Sequence, residues 1–305
     1  MSTPSADPNA VDPPVGRAPV LNPARPFFWS VKRELWEYRS VYLAPAVVGV
    51  VVLLASIVGL SRLPQSVRAA LAGVTHEDIA AESFGFVATA IAITGLIVAM
   101  FYCLGALNND RRDRSILFWK SLPVSDLLTA LSKAFIPLVS IPLVVFAVVL
   151  VTQLLILLLS SAVLLANGLS PAMLWLRVPA ASLALAYGLT VMSLWFAPVF
   201  CWLLLVSAWA RRMAFLWATL PLLMVAIVEQ IGFGTKYFAS LLTYRLTGFY
   251  AEAFAEHVNG KIVLNPLEAL TPLNFLTTAG LWLGLVCAAV FLVGVVWLRR
   301  NREPG

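Results

Sequence analysis

The chain has 305 residues, of which 61% are hydrophobic and only 12% are charged, and its mean hydropathy is +0.90. Soluble domains are about 45–50% apolar and about 25% charged, so this composition excludes an ordinary soluble domain and indicates an integral membrane protein. The net charge of +6 does not indicate nucleic-acid binding, because the basic residues cluster at the ends of apolar segments, as the positive-inside rule predicts.

The first 26 residues contain seven of the nineteen prolines. They lack a charged stretch followed by an apolar one, so they do not resemble a signal peptide. We predict a disordered cytoplasmic tail over residues 1–26.

The next segment, residues 27–40, is too short and too charged to cross a membrane. On a helical wheel the apolar side holds Phe27, Phe28, Val31, Leu35 and Tyr38, with Trp29 and Trp36 at its border. Arg33, Glu34 and Glu37 face the opposite side, whereas Lys32 and Arg39 must snorkel. This pattern predicts an amphipathic helix on the inner leaflet. A plain extension of the first span is the alternative.

Six segments meet the requirement of about 20 apolar residues. We predict spans at Val41–Leu60, Phe84–Leu107, Ala134–Ser161, Val178–Ala208, Met213–Ile231 and Phe275–Leu298. An even number of spans places both termini on one side. With the termini inside, fifteen basic residues are cytoplasmic and six are external, which fixes the orientation. The predicted fold is an all-α membrane protein with six transmembrane helices.

Between the second and third spans lies a polar, basic loop, residues 108–133. Its basic residues are Arg111, Arg112, Arg114, Lys120 and Lys133. Pro123 should end one short helix. Ser125 can cap the next helix, with Asp126 in its first turn.

This loop resembles part of a known protein family. A charged cluster from Asp110 to Arg114, a short apolar run, the sequence Ser121-Leu122-Pro123-Val124-Ser125 and a lysine at the head of the third span resemble the permease subunit of ABC-2-type ABC transporters. In that family the loop holds a coupling helix that sits in a groove of the ATP-binding subunit. The alternative is an ordinary basic loop that only anchors topology.

The resemblance implies roles for particular residues. Contact with the ATPase would fall to Asp110, Arg111, Arg112, Arg114, Leu122, Pro123, Val124 and Ser125, with Lys133 anchoring the third span. The family more often has glutamate at the position of Asp110. An elbow helix before the first span would include Phe28, Trp29, Leu35 and Trp36.

The resemblance also implies partners and a location. The six-span permease domain would cover residues 27–298, followed by a cytoplasmic tail at 299–305, in a bacterial inner membrane. A separate chain would bind ATP and magnesium, and a second, identical or similar permease would complete a dimer among membrane lipids.

The longest external segment, residues 232–274, is too long for a simple connection. Apolar residues recur at three and four positions between Tyr237 and Phe254. This spacing predicts an amphipathic helix at the outer interface or re-entering slightly. It is equally compatible with an outer gate, as in the family, and with a helix that only covers the bundle.

Motifs for chemistry on this chain are absent from the sequence. There is no G-x-x-x-x-G-K-[ST], so an ATPase would be a separate chain, and neither a metal site nor a hydrolase is predicted. Glu229 with Gln230, near the outer end of span five, are candidates for a gate or cargo contact. Gln153 in span three is a further candidate, although packing between helices or a subunit interface is the safer interpretation.

Two functions therefore compete. The first is the permease of an ATP-driven exporter for amphipathic, lipid-like or peptide cargo, which is not itself an enzyme. The second is a non-transporting assembly factor or sensor that recruits a cytoplasmic partner through loop 108–133.

Overall fold

The computed structural model describes residues 24–71, 79–108, 125–210, 212–254, 257–258, 261–262, 267 and 269–301. Within these ranges the chain is predominantly helical, and six helices are long and apolar enough to cross a membrane. The prediction of an all-α fold with six candidate spans is therefore confirmed. Residues 1–23 of the predicted tail lie outside the described residues.

The helices are α1 (Ala24–Glu37), α2 (Ser40–Gly59), α3 (Leu63–Leu71), α4 (Ile79–Gly105), α5 (Asp126–Phe135), α6 (Ile141–Ala166), α7 (Ala172–Trp209), α8 (Ala214–Phe233), α9 (Tyr237–Thr247), α10 (Phe249–Ala253), α11 (Pro272–Thr277) and α12 (Ala279–Asn301). A π-helical turn, Ile136–Ser140, joins α5 to α6. Two short strands, β1 (His257–Val258) and β2 (Lys261–Ile262), pair antiparallel. The candidate spans are α2, α4, α5 with α6, α7, α8 and α12.

The third span is longer than its predicted range of Ala134–Ser161. It forms one continuous helical segment of 41 residues from Asp126 to Ala166, with a contour length of about 60 Å at 1.5 Å per residue. Pro137 lies in the π-helical turn, since a proline has no N–H to give to the preceding turn. Helix α5 therefore carries the base of loop 108–133 directly into the third span.

Helix α7 is the centre of the bundle. In an apolar stretch of 18 residues within α7, 67% of the residues are buried, whereas in the corresponding stretch of α8 only 11% are buried. It packs against α12, α4 and α6, and its Trp195 is completely buried. Helix α8 exposes apolar side chains around most of its circumference, as suits a helix surrounded by lipid.

The segment between the fifth and sixth candidate spans differs from the single helix predicted between Tyr237 and Phe254. A turn at Gly248 separates α9 from α10. Helix α10 packs on α7, because the Phe249 ring lies 5.9 Å from that of Phe196 and the Tyr187 hydroxyl donates to the Ala253 carbonyl at 3.1 Å. This contact places α10 against the central helix.

Candidate functional site

A buried ion pair lies at the base of loop 108–133. The Lys133 ammonium is 2.8 Å from Glu34 Oε1, and the two side chains are only 1% and 2% exposed. Lys133 also donates to the Ala106 carbonyl at 2.7 Å, and the Tyr102 hydroxyl donates to Glu34 Oε2 at 2.9 Å. Arg33 Nη2 is 3.1 Å from Glu34 Oε1. Both carboxylate oxygens are therefore engaged, as a buried charge requires.

Three separate elements supply this cluster. Glu34 comes from α1, Tyr102 from the last turn of α4, and Lys133 from the last turn of α5. The Ala106 carbonyl follows α4, where helix-end carbonyls lack partners within the helix and attract cations. Two aromatic pairs hold α1 in place, with Tyr38 edge-on to Tyr102 at 4.9 Å and Phe27 edge-on to Phe135 at 5.4 Å.

A serine holds the end of α4 from the other side. The Ser207 hydroxyl of α7 accepts from the Leu107 and Asn108 amides, both at 3.1 Å. Ser207 is completely buried. The residues that follow α4, from Ala106 to Asn108, are thus held by both Lys133 and Ser207.

The chain returns through a capped helix. The Ser125 hydroxyl accepts from the Leu128 amide at 3.2 Å, and Asp126 lies in the first turn of α5, which confirms the predicted cap. Asp126 Oδ1 is also 3.3 Å from Arg299 Nε of α12. Both ends of the loop are therefore tied to spans. Its candidate coupling residues from Asp110 to Val124 lie outside the described residues.

Helix α1 has two faces that differ from the predicted ones. Glu34 was predicted to face away from the apolar side, and this is wrong, because Glu34 turns inward to neutralise Lys133. Leu35 packs against the core on this face. Phe28, Trp29 and Trp36 are exposed on the other. The Lys32 ammonium lies over Trp29 and Trp36, at 5.0 and 5.2 Å from their ring centres.

A half-buried cation lies between α9, α7 and α12. Arg245 of α9 stacks on Trp195, 4.6 Å from the ring centre, and its Nη1 donates to the Gly280 carbonyl at 2.9 Å. Trp195 Nε1 donates in turn to the Arg245 carbonyl at 2.8 Å. The guanidinium fits only because Gly284 has no side chain, since a Cβ there would overlap it.

No carboxylate that the structure describes pairs with this cation. Arg245 Nε and Nη2 are buried and have no hydrogen-bond partner among the described residues. Burial lowers the pKa of Arg245, although a guanidinium stays protonated in proteins. The sequence analysis missed this residue; its only signal is a lone arginine inside the apolar run of α9.

Glu229, a candidate for a gate or cargo contact, has a structural role. Its carboxylate accepts from the Tyr237 and Phe238 amides at 2.7 and 2.8 Å and from the Thr235 hydroxyl at 2.9 Å. These amides begin α9, so Glu229 caps that helix and stabilises its positive end. Gln230 beside it is exposed.

Gln153 is buried within α6. Its neighbour Thr152 approaches α2 closely, since a Cβ on Gly49 would lie 2.9 Å from the threonine hydroxyl. Such close approach at a small residue is typical of packed membrane helices. These surroundings favour packing over cargo contact for Gln153.

In the described part of the chain, no group of three or more His, Cys, Asp or Glu side chains is placed to hold a metal ion. No protein-family model matches the chain, and comparisons with curated proteins and with solved structures give no match. The resemblance to ABC-2-type permeases therefore rests on the residues of loop 108–133 and on the order of the spans.

Proposed function

We propose that this chain is the transmembrane permease subunit of an ATP-driven ABC exporter. Loop 108–133 would dock on a separate subunit that binds ATP and magnesium, and the cargo would be amphipathic, lipid-like or a peptide. The observation that carries the proposal is the buried Glu34–Lys133 pair at the base of this loop.

The cost of burying this pair is the first argument. Removing two charges from water costs several kcal/mol per ion, and apolar residues of similar volume often stabilise a fold equally well. A pair of this kind is therefore better explained by the geometry it imposes. Here it fixes the register of α1 against α4 and α5.

Transmission of movement is the second argument. Lys133 binds both Glu34 and the Ala106 carbonyl, so a force on the loop acts on α1, α4 and α5 together. A partner that docks differently with and without ATP would then shift the populations of two arrangements of the spans. The continuous helical segment from Asp126 to Ala166 would transmit the movement across the membrane.

Helix α1 would act as the elbow helix of this permease. Its exposed Phe28, Trp29 and Trp36 are residues that favour the membrane interface. Both termini would be cytoplasmic and the membrane would be a bacterial inner membrane. A second permease chain would complete the transport path.

Co-purification tests the proposal. The full chain is isolated in mild detergent from its own cells, and nucleotide-hydrolysing partners are identified by mass spectrometry and ATPase assay. A partner should accompany the wild type and the external control Arg62→Gln. Leu122→Asp should reduce its recovery about tenfold, the effect of losing one well-buried interface contact.

Two results would contradict the proposal. One is the absence of any nucleotide-hydrolysing chain, and the other is undiminished recovery with Leu122→Asp. Recovery of a cytoplasmic partner without nucleotide hydrolysis would instead support the assembly factor or sensor.

A further inference from the structure

A groove runs between α5 and α12 beside the base of loop 108–133. Its cavity has a volume of about 260 Å³. Leu127 and Leu131 of α5 form one wall, and Val293 and Trp297 of α12 form the other. All four side chains are exposed, so the groove opens to the surroundings of the bundle.

The groove is long enough for part of an acyl chain. From Val293 to Arg300 the α12 wall rises about 10 Å at 1.5 Å per residue. One leaflet contributes about 15 Å of hydrocarbon. A chain lying in this groove would therefore run from the headgroup level toward the bilayer centre.

One end of the groove is positively charged. Arg300 lines this end and is exposed. It makes no ion pair with any residue that the structure describes, whereas its neighbour Arg299 is paired with Asp126 at 3.3 Å. Trp297, one turn before Arg300, belongs to the residue type that prefers the headgroup level. Together they favour an apolar molecule with an anionic head.

We propose that this groove binds an anionic phospholipid, with one acyl chain between α5 and α12 and the phosphate on Arg300. A guanidinium forms paired, charge-assisted hydrogen bonds with phosphate. This site depends on α5 and α12 lying in a membrane but not on an ATPase. Its test is therefore independent of the test of the proposed function.

Native mass spectrometry of the full chain in detergent tests this site. The protein is mixed with equal amounts of phosphatidylglycerol and phosphatidylcholine that carry the same acyl chains. The wild type should retain phosphatidylglycerol about fivefold better, the effect of one basic residue near a lipid phosphate. Arg300→Gln should bring the ratio close to one, whereas Arg300→Lys should keep most of the preference.

Two further variants complete the design. Arg212→Gln removes another exposed arginine and should leave the ratio unchanged. Val293→Trp fills the groove from an exposed position, so the fold should persist while both lipids are lost. An unchanged ratio in Arg300→Gln, or unchanged lipid retention in Val293→Trp, would overturn the proposal. Conversion of a dimer to a monomer by Val293→Trp, with lipid retention unchanged, would assign the groove to a second copy instead.

Discussion

A cation lies toward each end of α12, and the two differ both in burial and in neutralisation, because Lys133 is buried whereas Arg245 is half-buried. Near the Arg299 end, Lys133 has a carboxylate at 2.8 Å and a carbonyl at 2.7 Å. Near the Gly280 end, Arg245 has one carbonyl and one aromatic face, and within the described ranges two of its nitrogens lack hydrogen-bond partners.

The difference indicates which junction of helices resists separation. Breaking a buried ion pair leaves an uncompensated charge, which costs about 3–5 kcal/mol. Withdrawing Arg245 loses a hydrogen bond and a cation–π contact but returns an under-solvated cation to water, so the two effects oppose each other. The base of the loop should therefore move as a unit, while α9 should separate from α7 and α12 more readily.

Lys133→Met should have the largest effect. It leaves the Glu34 carboxylate buried without its cation and should destabilise the protein by about 3–5 kcal/mol. The measurement is the midpoint of thermal unfolding of the full chain in detergent. Arg33→Gln, at a partly exposed partner of Glu34, is the control and should change the midpoint much less.

The double variant Glu34→Leu, Lys133→Met sharpens this prediction. Removing both charges should restore most of the lost stability, because an apolar pair replaces an ion pair at little cost. A single variant as stable as the wild type, or a double variant as unstable as the single one, would show that the pair does not hold the junction.

Gly284→Ala should have the next largest effect. The added Cβ overlaps the Arg245 guanidinium, so this flexible side chain must move and loses its hydrogen bond to Gly280 and its contact with Trp195, at a cost of about 1–2 kcal/mol. Gly85→Ala is a matched control in α4, because a Cβ there meets no atom within 4 Å. Adding Arg245→Ala to Gly284→Ala should relieve the overlap. Equal unfolding midpoints for Gly284→Ala and Gly85→Ala would contradict the packing described for Arg245.

Arg245→Met should change stability by only about 1 kcal/mol in either direction, since the lost contacts and the relieved burial offset each other. The Trp195 indole keeps its bond to the backbone carbonyl of residue 245. The test is a side-by-side comparison of unfolding midpoints with Lys133→Met. A loss as large as that of Lys133→Met would mean that the two cations are equally compensated.

Asp126→Asn should have the smallest effect. Its pair with Arg299 is partly exposed, at 30% and 18%, and such pairs contribute about 0.2–1 kcal/mol. High salt should remove most of the difference from the wild type, because exposed charges are screened. An effect of Asp126→Asn that persists at high salt would place this pair among the buried ones.

Features set by local sequence were predictable. Apolar runs of sufficient length identified the six spans, since the hydrocarbon core fixes the length of a crossing helix. The cap at Ser125 followed from a small hydroxyl residue ahead of Asp126. The first residue of span three was predicted incorrectly, because α5 contains polar residues outside the predicted apolar range and is nevertheless continuous with α6.

Features set by distant contacts were not predictable. Glu34 and Lys133 are 99 residues apart, and a helical wheel places a glutamate outward because it contains no information about a lysine on another helix. Arg245 was missed for the same reason, since its space exists only where Gly284 approaches it. The coupling roles of Asp110 to Val124 stay a prediction.

Distances between spin labels in the purified complex test the central claim most directly. Spin labels are attached at Trp36→Cys on α1 and Arg212→Cys after α7, both exposed positions, in a chain with Cys287 replaced by Ser. The distance between the two labels is then measured with and without ATP. ATP should shift the distance in the background with the native Glu34–Lys133 pair and not in the Glu34→Leu, Lys133→Met background. No shift with the native pair present, or the same shift in both backgrounds, would contradict transmission through this pair.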